Sequence, residues 1–365
     1  MSLFPTILMF SLQAATAATA VQQAPAWLAR VDGFVGEQMR EQKVPGISLA
    51  IVKDGTVIAK GYGEANVEHH VPVTAETIFQ SGSVGKQFTA AAVMLQVEAG
   101  RIALDDSITK YFTDAPATWR PIRLRHLLNH TAGIPDYATD TFDYRHDKTE
   151  DELVHMAYAL DLQFEPGSKW DYSNTGYLLL GALLRKVSGK FYGDLLAEQV
   201  FRPLGMSTAR VISEADIVPH RAAGYELVEG QIKNQDWVAP SINTTADGAL
   251  YLSALDMVAW DKGLRAGAIL KPESWQQVYT PVHLNGGATY PYGFGWSVGN
   301  RDGAPFYSHG GSWQGFRSYI ARYLGAGVTI ILFANLADTD TWKIVDGIAT
   351  IIDPALAAPP EAAEP

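Results

Sequence analysis

Ser83-Val84-Gly85-Lys86-Gln87-Phe88-Thr89-Ala90-Ala91-Ala92-Val93-Met94-Leu95-Gln96-Val97-Glu98-Ala99-Gly100 puts a lysine at the head of a helix with almost no polar face. From Phe88 to Ala99 the residues are apolar on nearly every side, and Gly100 supplies a C-terminal stop. A helix apolar all round is a buried one, so this segment predicts the centre of a substantial core. Residues three apart on a helix are neighbours, which sets Lys86 over Ser83 at the first turn. Burial disfavours the charged form of a lysine. A neutral amine beside a hydroxyl is a base beside a nucleophile, and Ser83 is therefore a candidate for covalent catalysis.

Outward from that helix the pattern changes. Trp27 to Gln42 has helical spacing, Ile47 to Val52 reads as a strand, and Asp54-Gly55 is a hairpin signal returning Thr56 to Tyr62 as its partner. From Ser83 to about Leu270 the text is mostly helical, as in Thr175 to Val187 and Leu255 to Leu264. Strand character resumes in Gly293 to Val298, Phe306 to His309, Phe316 to Leu324 and Val328 to Asn335, and a last helix follows from Trp342 to Ile352. Strands at both ends with helices between predict an α/β (α+β sandwich) fold, an antiparallel sheet built from both chain ends and flanked by helices. The expected organisation is one catalytic domain over 21–355, with a sheet lobe (about 26–80 and 275–355), a mostly helical inserted lobe (about 81–274), and a disordered Pro/Ala/Glu-rich tail at 356–365. A cleft between lobes is the expected place for a site.

Bulk properties narrow the function. With 47% hydrophobic and 18% charged residues over 365 positions, the chain has the material for a large core. A formal charge of -11 with no basic run argues against nucleic acid or an anionic membrane as partner. The absence of cysteine removes disulfides, thiolate metal sites and a cysteine nucleophile. Leu3 to Leu12 is a short apolar run followed by small residues to Ala20, which reads as a cleavable signal peptide over 1–20 and an exported, periplasmic or secreted product, although its n-region has no Lys or Arg. No other stretch reaches the ~20 apolar residues of a spanning helix.

Ser-x-x-Lys by itself is a weak pattern, and Ser107-Ile108-Thr109-Lys110 repeats it in a polar setting that suits a cap or turn. A second element is Tyr172-Ser173-Asn174, the sole Tyr-x-Asn among sixteen tyrosines. Its phenol and amide can face one cleft; read alone it fits a helix N-cap by Asn174, with Tyr172 as packing, equally well. The third is Ser308-His309-Gly310-Gly311-Ser312 at the end of a late strand, which alone reads as a tight turn, or as backbone that comes close to a ligand. His126 and His130 are four apart, but Leu127 stands where a zinc protease needs glutamate. A P-loop at Gly85-Lys86 and a G-x-S-x-G elbow at Ser83 are both excluded by their flanking residues. Tyr290, Tyr292, Phe294, Trp296, Trp313 and Phe316 read as strand packing, with one or two left to wall a pocket.

Ser83-x-x-Lys86, Tyr172-x-Asn174 and His309-Gly310-Gly311, in this order and at these spacings, resemble the serine β-lactamase and penicillin-binding-protein superfamily. The likeness is nearer to its class C β-lactamase-related branch of esterases, D-aminopeptidases, D,D-carboxypeptidases and amide hydrolases. Leu127 to Ile134, Pro166-Gly167 through Gly181, and Tyr292-Gly293-Phe294-Gly295-Trp296 are similar to that branch as well. The resemblance implies a β-lactamase/transpeptidase-like fold and a cofactor-free serine hydrolase without metal, acting on a small ester, amide or peptide. It implies Ser83 as nucleophile, Lys86 and Tyr172 as acid/base groups, and the backbone N–H groups of Ser83 and Ser312 as the oxyanion hole. Asn174 would hold the substrate's acyl side, and His309, Gly310 and Gly311 would line the edge.

The third motif departs from the family's Lys-Thr/Ser-Gly, which occurs nowhere in the chain. His309 replaces its cation and Gly310 its hydroxyl, so carboxylate binding is weakened. Arg317 lies near enough in sequence to offer a charge. The expectation is thus a carboxylesterase or D-amino-acid-type peptidase or amidase ahead of a β-lactamase or D,D-carboxypeptidase. A non-catalytic binder of penicillins or cell-wall fragments is the alternative from another class.

Overall fold

Strands from the two ends of the chain meet at the middle of one sheet. In the computed structural model, which describes residues 25–139 and 141–358, the main sheet comprises β1 (Gly46–Lys53), β2 (Thr56–Asn66), β3 (Val71–Pro72), β4 (Ser297–Arg301), β5 (Ala304–Trp313), β6 (Phe316–Tyr323) and β7 (Val328–Ala334). Their spatial order is β4-β5-β6-β7-β1-β2-β3, antiparallel throughout. The β1–β7 pairing runs from Ile47 opposite Ala334 to Lys53 opposite Val328, and Asp54-Gly55 turns β1 into β2 as its hairpin signal predicts. The expected α/β architecture, a sheet made from both termini with helices packed on it, is the one observed.

Side-chain alternation along these strands divides the interior in two. Ile47, Leu49 and Ile51 of β1 and Val328, Ile330 and Leu332 of β7 point to one face, where they meet α1 (Leu28–Gln42) and the C-terminal α5 (Thr341–Ile352) through Val31, Val35, Ile344 and Ile348. Ala50, Ile320, Ile331 and Phe333 point to the other face, against the larger core. That core is organised by α2 (Lys86–Glu98), in which Phe88 to Met94 are all buried, and by α3 (Asn174–Ser188), whose Tyr177 to Leu184 are buried as well. The all-apolar reading of the segment after Ser83 corresponds to this central position.

Four details differ from the sequence reading. The mostly helical middle also holds strands that the sequence reading does not place: Ile78–Gln80, Leu250–Ser253 and Arg210–Val211 form a small sheet, and Tyr225–Val228 with Gln231–Asn234 a hairpin. The helix α4 (Ala254–Arg265), inside the range assigned to the helical lobe, lies on the main sheet, where Asp261 bonds Arg322 of β6 and Thr329 of β7. Gly293 to Trp296 is irregular rather than strand: Gly295 takes a positive φ of 73° against the Lys86 backbone, and Phe294 and Trp296 are buried beside it. Of the expected disordered tail, Leu356 closes a short turn and is buried, while 359–365 lie outside the described residues, as does the expected signal peptide at 1–20. Among the described residues no helix is long and apolar enough to cross a membrane.

Candidate active site

Ser83 sits in a 3-10 turn, Gly82–Gly85, that runs straight into α2. The turn is pressed between two backbones. Gly82, at φ 51°, lies so close to β5 that a Cβ there would fall 2.4 Å from the Ser312 nitrogen, and Gly248 backs onto the other side, where a Cβ would lie 3.0 Å from the Ser83 nitrogen. Only a residue without a side chain permits both the positive φ and that approach.

Lys86 is fully buried, at 0% exposure, and Ser83 half-buried at the mouth of two adjoining cavities of about 710 and 450 Å³. The Lys86 Nζ lies 3.0 Å from Ser83 Oγ, 2.7 Å from Asn174 Oδ1 and 2.6 Å from the Asp247 carbonyl oxygen. The Asn174 amide is oriented by its other end, where Nδ2 donates to Asp136 Oδ2 at 2.9 Å, a partner that can only accept. Two of the three positions around Nζ are thereby pure acceptors. The third faces the Ser83 hydroxyl, which can accept from an ammonium or donate to an amine lone pair. Asn174 opens α3, and its backbone N–H donates to Asp136 Oδ1, so two helix N-termini converge on Lys86. Burial raises the Asp136 carboxyl above its ordinary range, partly offset by hydrogen bonds from Ala138 and Asn174 and by the Lys86 charge.

Tyr172 lines both cavities with Ser83, and its ring centroid lies 4.9 Å from Lys86 Nζ. The Tyr172 hydroxyl is buried and meets no hydrogen-bond partner among the described residues. The structure therefore brings Ser83, Lys86, Tyr172 and Asn174 into one cluster. The second Ser-x-x-Lys does not join it: Ser107 caps the short turn Ile108–Lys110 and donates to the Arg120 carbonyl, while Lys110 pairs with Asp106 at the surface.

His309, Gly310, Gly311 and Ser312 do not form a terminal turn. They continue β5 to Trp313, past Ser308, the last residue paired with β4, so their outer edge faces Ser83. Gly311 backs onto the nucleophile turn, since a Cβ there would fall 2.2 Å from the Ser81 carbonyl oxygen. Arg317, opposite Ser312 on β6, lines the larger cavity together with Ser83, and its Nε donates to the Ala337 carbonyl.

His309 does not offer the charge of the lysine it replaces. It is buried, which lowers its pKa to about 4, and its ring is held in a chain of hydrogen bonds. The Ser173 N–H donates to His130 Nδ1 (3.2 Å), so His130 carries its proton on Nε2 and donates to the Tyr292 oxygen (3.2 Å). Tyr292 then donates to His309 Nε2 (2.7 Å), and His309 Nδ1–H donates to the Gly310 carbonyl (2.6 Å). Both ends force the same direction, because a backbone N–H only donates and a carbonyl only accepts. Burial also holds His130 well below its ordinary pKa. An added proton on either ring sets donor against donor.

This chain makes acid the weak side of the molecule. The unfolded histidines take up protons as pH falls below about 6.5, whereas His309 resists until about 4, so stability is full above 6.5 and declines toward 4. Thermal melts should show the midpoint falling over that window. Tyr292→Phe, which leaves His130 Nε2–H and His309 Nε2 unpaired, should lower stability by about 1–3 kcal/mol already at pH 7. A midpoint flat from pH 7 to 4, or unaltered in Tyr292→Phe, would contradict the arrangement.

Sequence reasoning did not assign Asp136, Asp247, His130 and Tyr292 to the site. In the sequence His130 reads only as a metal-ligand candidate and Tyr292 as strand packing, although both stand in stretches that carry the family resemblance. Asp247 has no local signal at all: its contact with Lys86 spans 161 positions.

The Beta-lactamase family model matches residues 31–347. The chain is 29% identical over 308 residues to penicillin-binding protein 4* of Bacillus subtilis, covering 77% of this chain and 68% of that one. It is 27% identical over 319 residues to a D-aminopeptidase of Gluconobacter oxydans, covering 84% of this chain and 59% of that protein, so it spans about three fifths of that relative's length. Among solved structures, the D-amino acid amidase from Ochrobactrum anthropi SV3 superimposes with a TM-score of 0.77 at 26% identity, over 91% of this chain and 98% of that one.

Proposed function

The chain belongs to the Beta-lactamase family and is a serine hydrolase of that fold; from that premise we propose that it cleaves small esters and amides, D-amino-acid amides or peptides among them, through an acyl-enzyme on Ser83. The observation that carries this reading is the 3.0 Å contact between Ser83 Oγ and a fully buried Lys86 whose other two hydrogen bonds are already taken. In the acylation step the Ser83 proton passes to the Lys86 amine as Oγ bonds to the substrate carbonyl carbon. The oxygen that gains charge is held by the N–H groups of Ser83 and Ser312, a reading supported by the close packing of Gly82 on β5 beside Ser312. Collapse breaks the bond to the leaving group, which takes a proton through Tyr172 or Lys86. Water then enters by the reverse sequence, releases the acid and restores the serine.

The neutral, pinned His309 supports esters and amides over β-lactams, whose carboxylate meets no charge from the residue that stands in for the third motif's lysine. Homology to a D-aminopeptidase and likeness to a D-amino acid amidase support the D-amino-acid branch. The apolar leader Leu3–Leu12 supports export. A panel of p-nitrophenyl esters, D-amino-acid amides, D-alanyl peptides and a chromogenic cephalosporin tests the reading. An ester or D-amide should exceed the cephalosporin by about 10²-fold or more in kcat/KM. A cephalosporin turned over fastest would make it a β-lactamase, and stable acylation by penicillin with no ester turned over would make it a binder.

A further inference from the structure

We infer that the smaller arm of the cleft is an ammonium site built on Asp247, so that preferred substrates carry a free amine on the residue whose carbonyl is attacked. The inference rests on the acyl-enzyme reading above and adds the substrate's charge to it.

The arm is the cavity of about 450 Å³ that Ser83 and Asn174 share with Asp247, Glu226, Tyr144 and Trp313. Asp247 is 3% exposed. Its Oδ2 accepts from the Tyr137 hydroxyl at 2.8 Å, but its Oδ1 is buried and meets no donor among the described residues. Lys86 does not serve it, because its three hydrogen bonds go to Ser83, Asn174 and the backbone oxygen of Asp247. A carboxylate oxygen can only accept, and a buried one without a donor is costly. A donor that enters the cavity removes that cost, and a cationic donor does so best.

The rest of the arm has the same preference. Glu226 adds a second carboxyl to its wall, its pKa pushed up by burial and then by the nearby Asp236 and Asp338. Tyr137, Tyr144, Tyr172 and Trp313 supply aromatic faces, which attract cations. Position then selects which amine. Asp247 adjoins Gly248, whose backbone abuts the Ser83 nitrogen, and lines the same cavity as Ser83. The amine we place there is the one a single carbon from the carbonyl that Ser83 attacks. Asn174 turns its Oδ1 to Lys86 and one of its two Nδ2 N–H groups to Asp136.

The test compares kcat/KM for alanine p-nitroanilide and N-acetyl-alanine p-nitroanilide, both enantiomers of each, with p-nitrophenyl acetate as the amine-free reference. Wild-type full chain should prefer the free amine by about 100-fold or more, the scale expected when a buried charge loses its partner. Asp247→Asn keeps the shape and the backbone carbonyl that holds Lys86, and should collapse the preference to about threefold or less. The readout is a ratio within one preparation, so a general loss of activity does not imitate it, and if the variant fails to fold the wild-type ratio decides. Equal rates on free and acetylated anilides, or a preference that survives Asp247→Asn, would overturn the ammonium site while p-nitrophenyl acetate turnover left the acyl-enzyme reading standing. No turnover of any of these compounds would overturn both.

Discussion

Ser83→Ala should abolish covalent labelling by a fluorophosphonate probe and lower kcat/KM on a short ester by roughly 10⁴-fold or more, the scale seen when a nucleophile that works as part of a unit is removed. The substitution deletes one oxygen from a half-buried position and leaves Lys86 bonded to Asn174 and Asp247, so the fold should be retained. Its control lies in the same chain. Ser107→Ala removes the other Ser-x-x-Lys serine, whose oxygen caps a three-residue turn, and should cost no more than about 1 kcal/mol of stability with labelling intact. Labelling that persists in Ser83→Ala, or vanishes in Ser107→Ala, would remove the basis of the assignment.

Gly311→Ala should be the most damaging single methyl in the site. The new Cβ would stand 2.2 Å from both the Ser81 carbonyl oxygen and Ser318 Oγ. The hydroxyl can rotate, but the carbonyl belongs to the segment that leads into the Ser83 turn. Relief therefore requires β5 to move away from the nucleophile. Overpacking of this kind costs about 1–3 kcal/mol, and a displacement near 1 Å at a reacting centre can cost about 10²-fold in rate. Its neighbour supplies the contrast. A Cβ on Gly310 would meet only the Tyr319 ring at 3.4 Å, an ordinary contact, so Gly310→Ala should melt within a degree or two of wild type, on the scale of about 0.5 kcal/mol for a substitution that disturbs no packing. If the two variants melt and turn over alike, the close approach of strand and turn is not what places the site.

The same pair shows where sequence reading reached and where it stopped. His309-Gly310-Gly311 was legible as a family motif, yet by itself it read as a tight turn, because glycine pairs are turn signals in local statistics. The glycine at 311 is there for a contact with Ser81, 230 positions earlier, that no local rule registers. Gly293 to Trp296 misled in a related way: its aromatic content reports burial, and burial alone does not choose between strand and irregular backbone.

What the sequence by itself determined is what short spacing can determine. A run without a polar face had to be buried, Ser83 and Lys86 three apart had to be neighbours, and alternation in the terminal strands had to present two faces to two cores. Only the tertiary structure decided which groups complete the site. Asn174 and Asp247 meet Lys86 across 88 and 161 positions, and His130 meets Tyr292 across 162. Periodicity constrains residues within one turn or one strand pair, whereas these contacts depend on how whole elements pack. The absence of a charge at His309 is of that kind too, since burial sets it, and burial is not written in the residue's own neighbourhood.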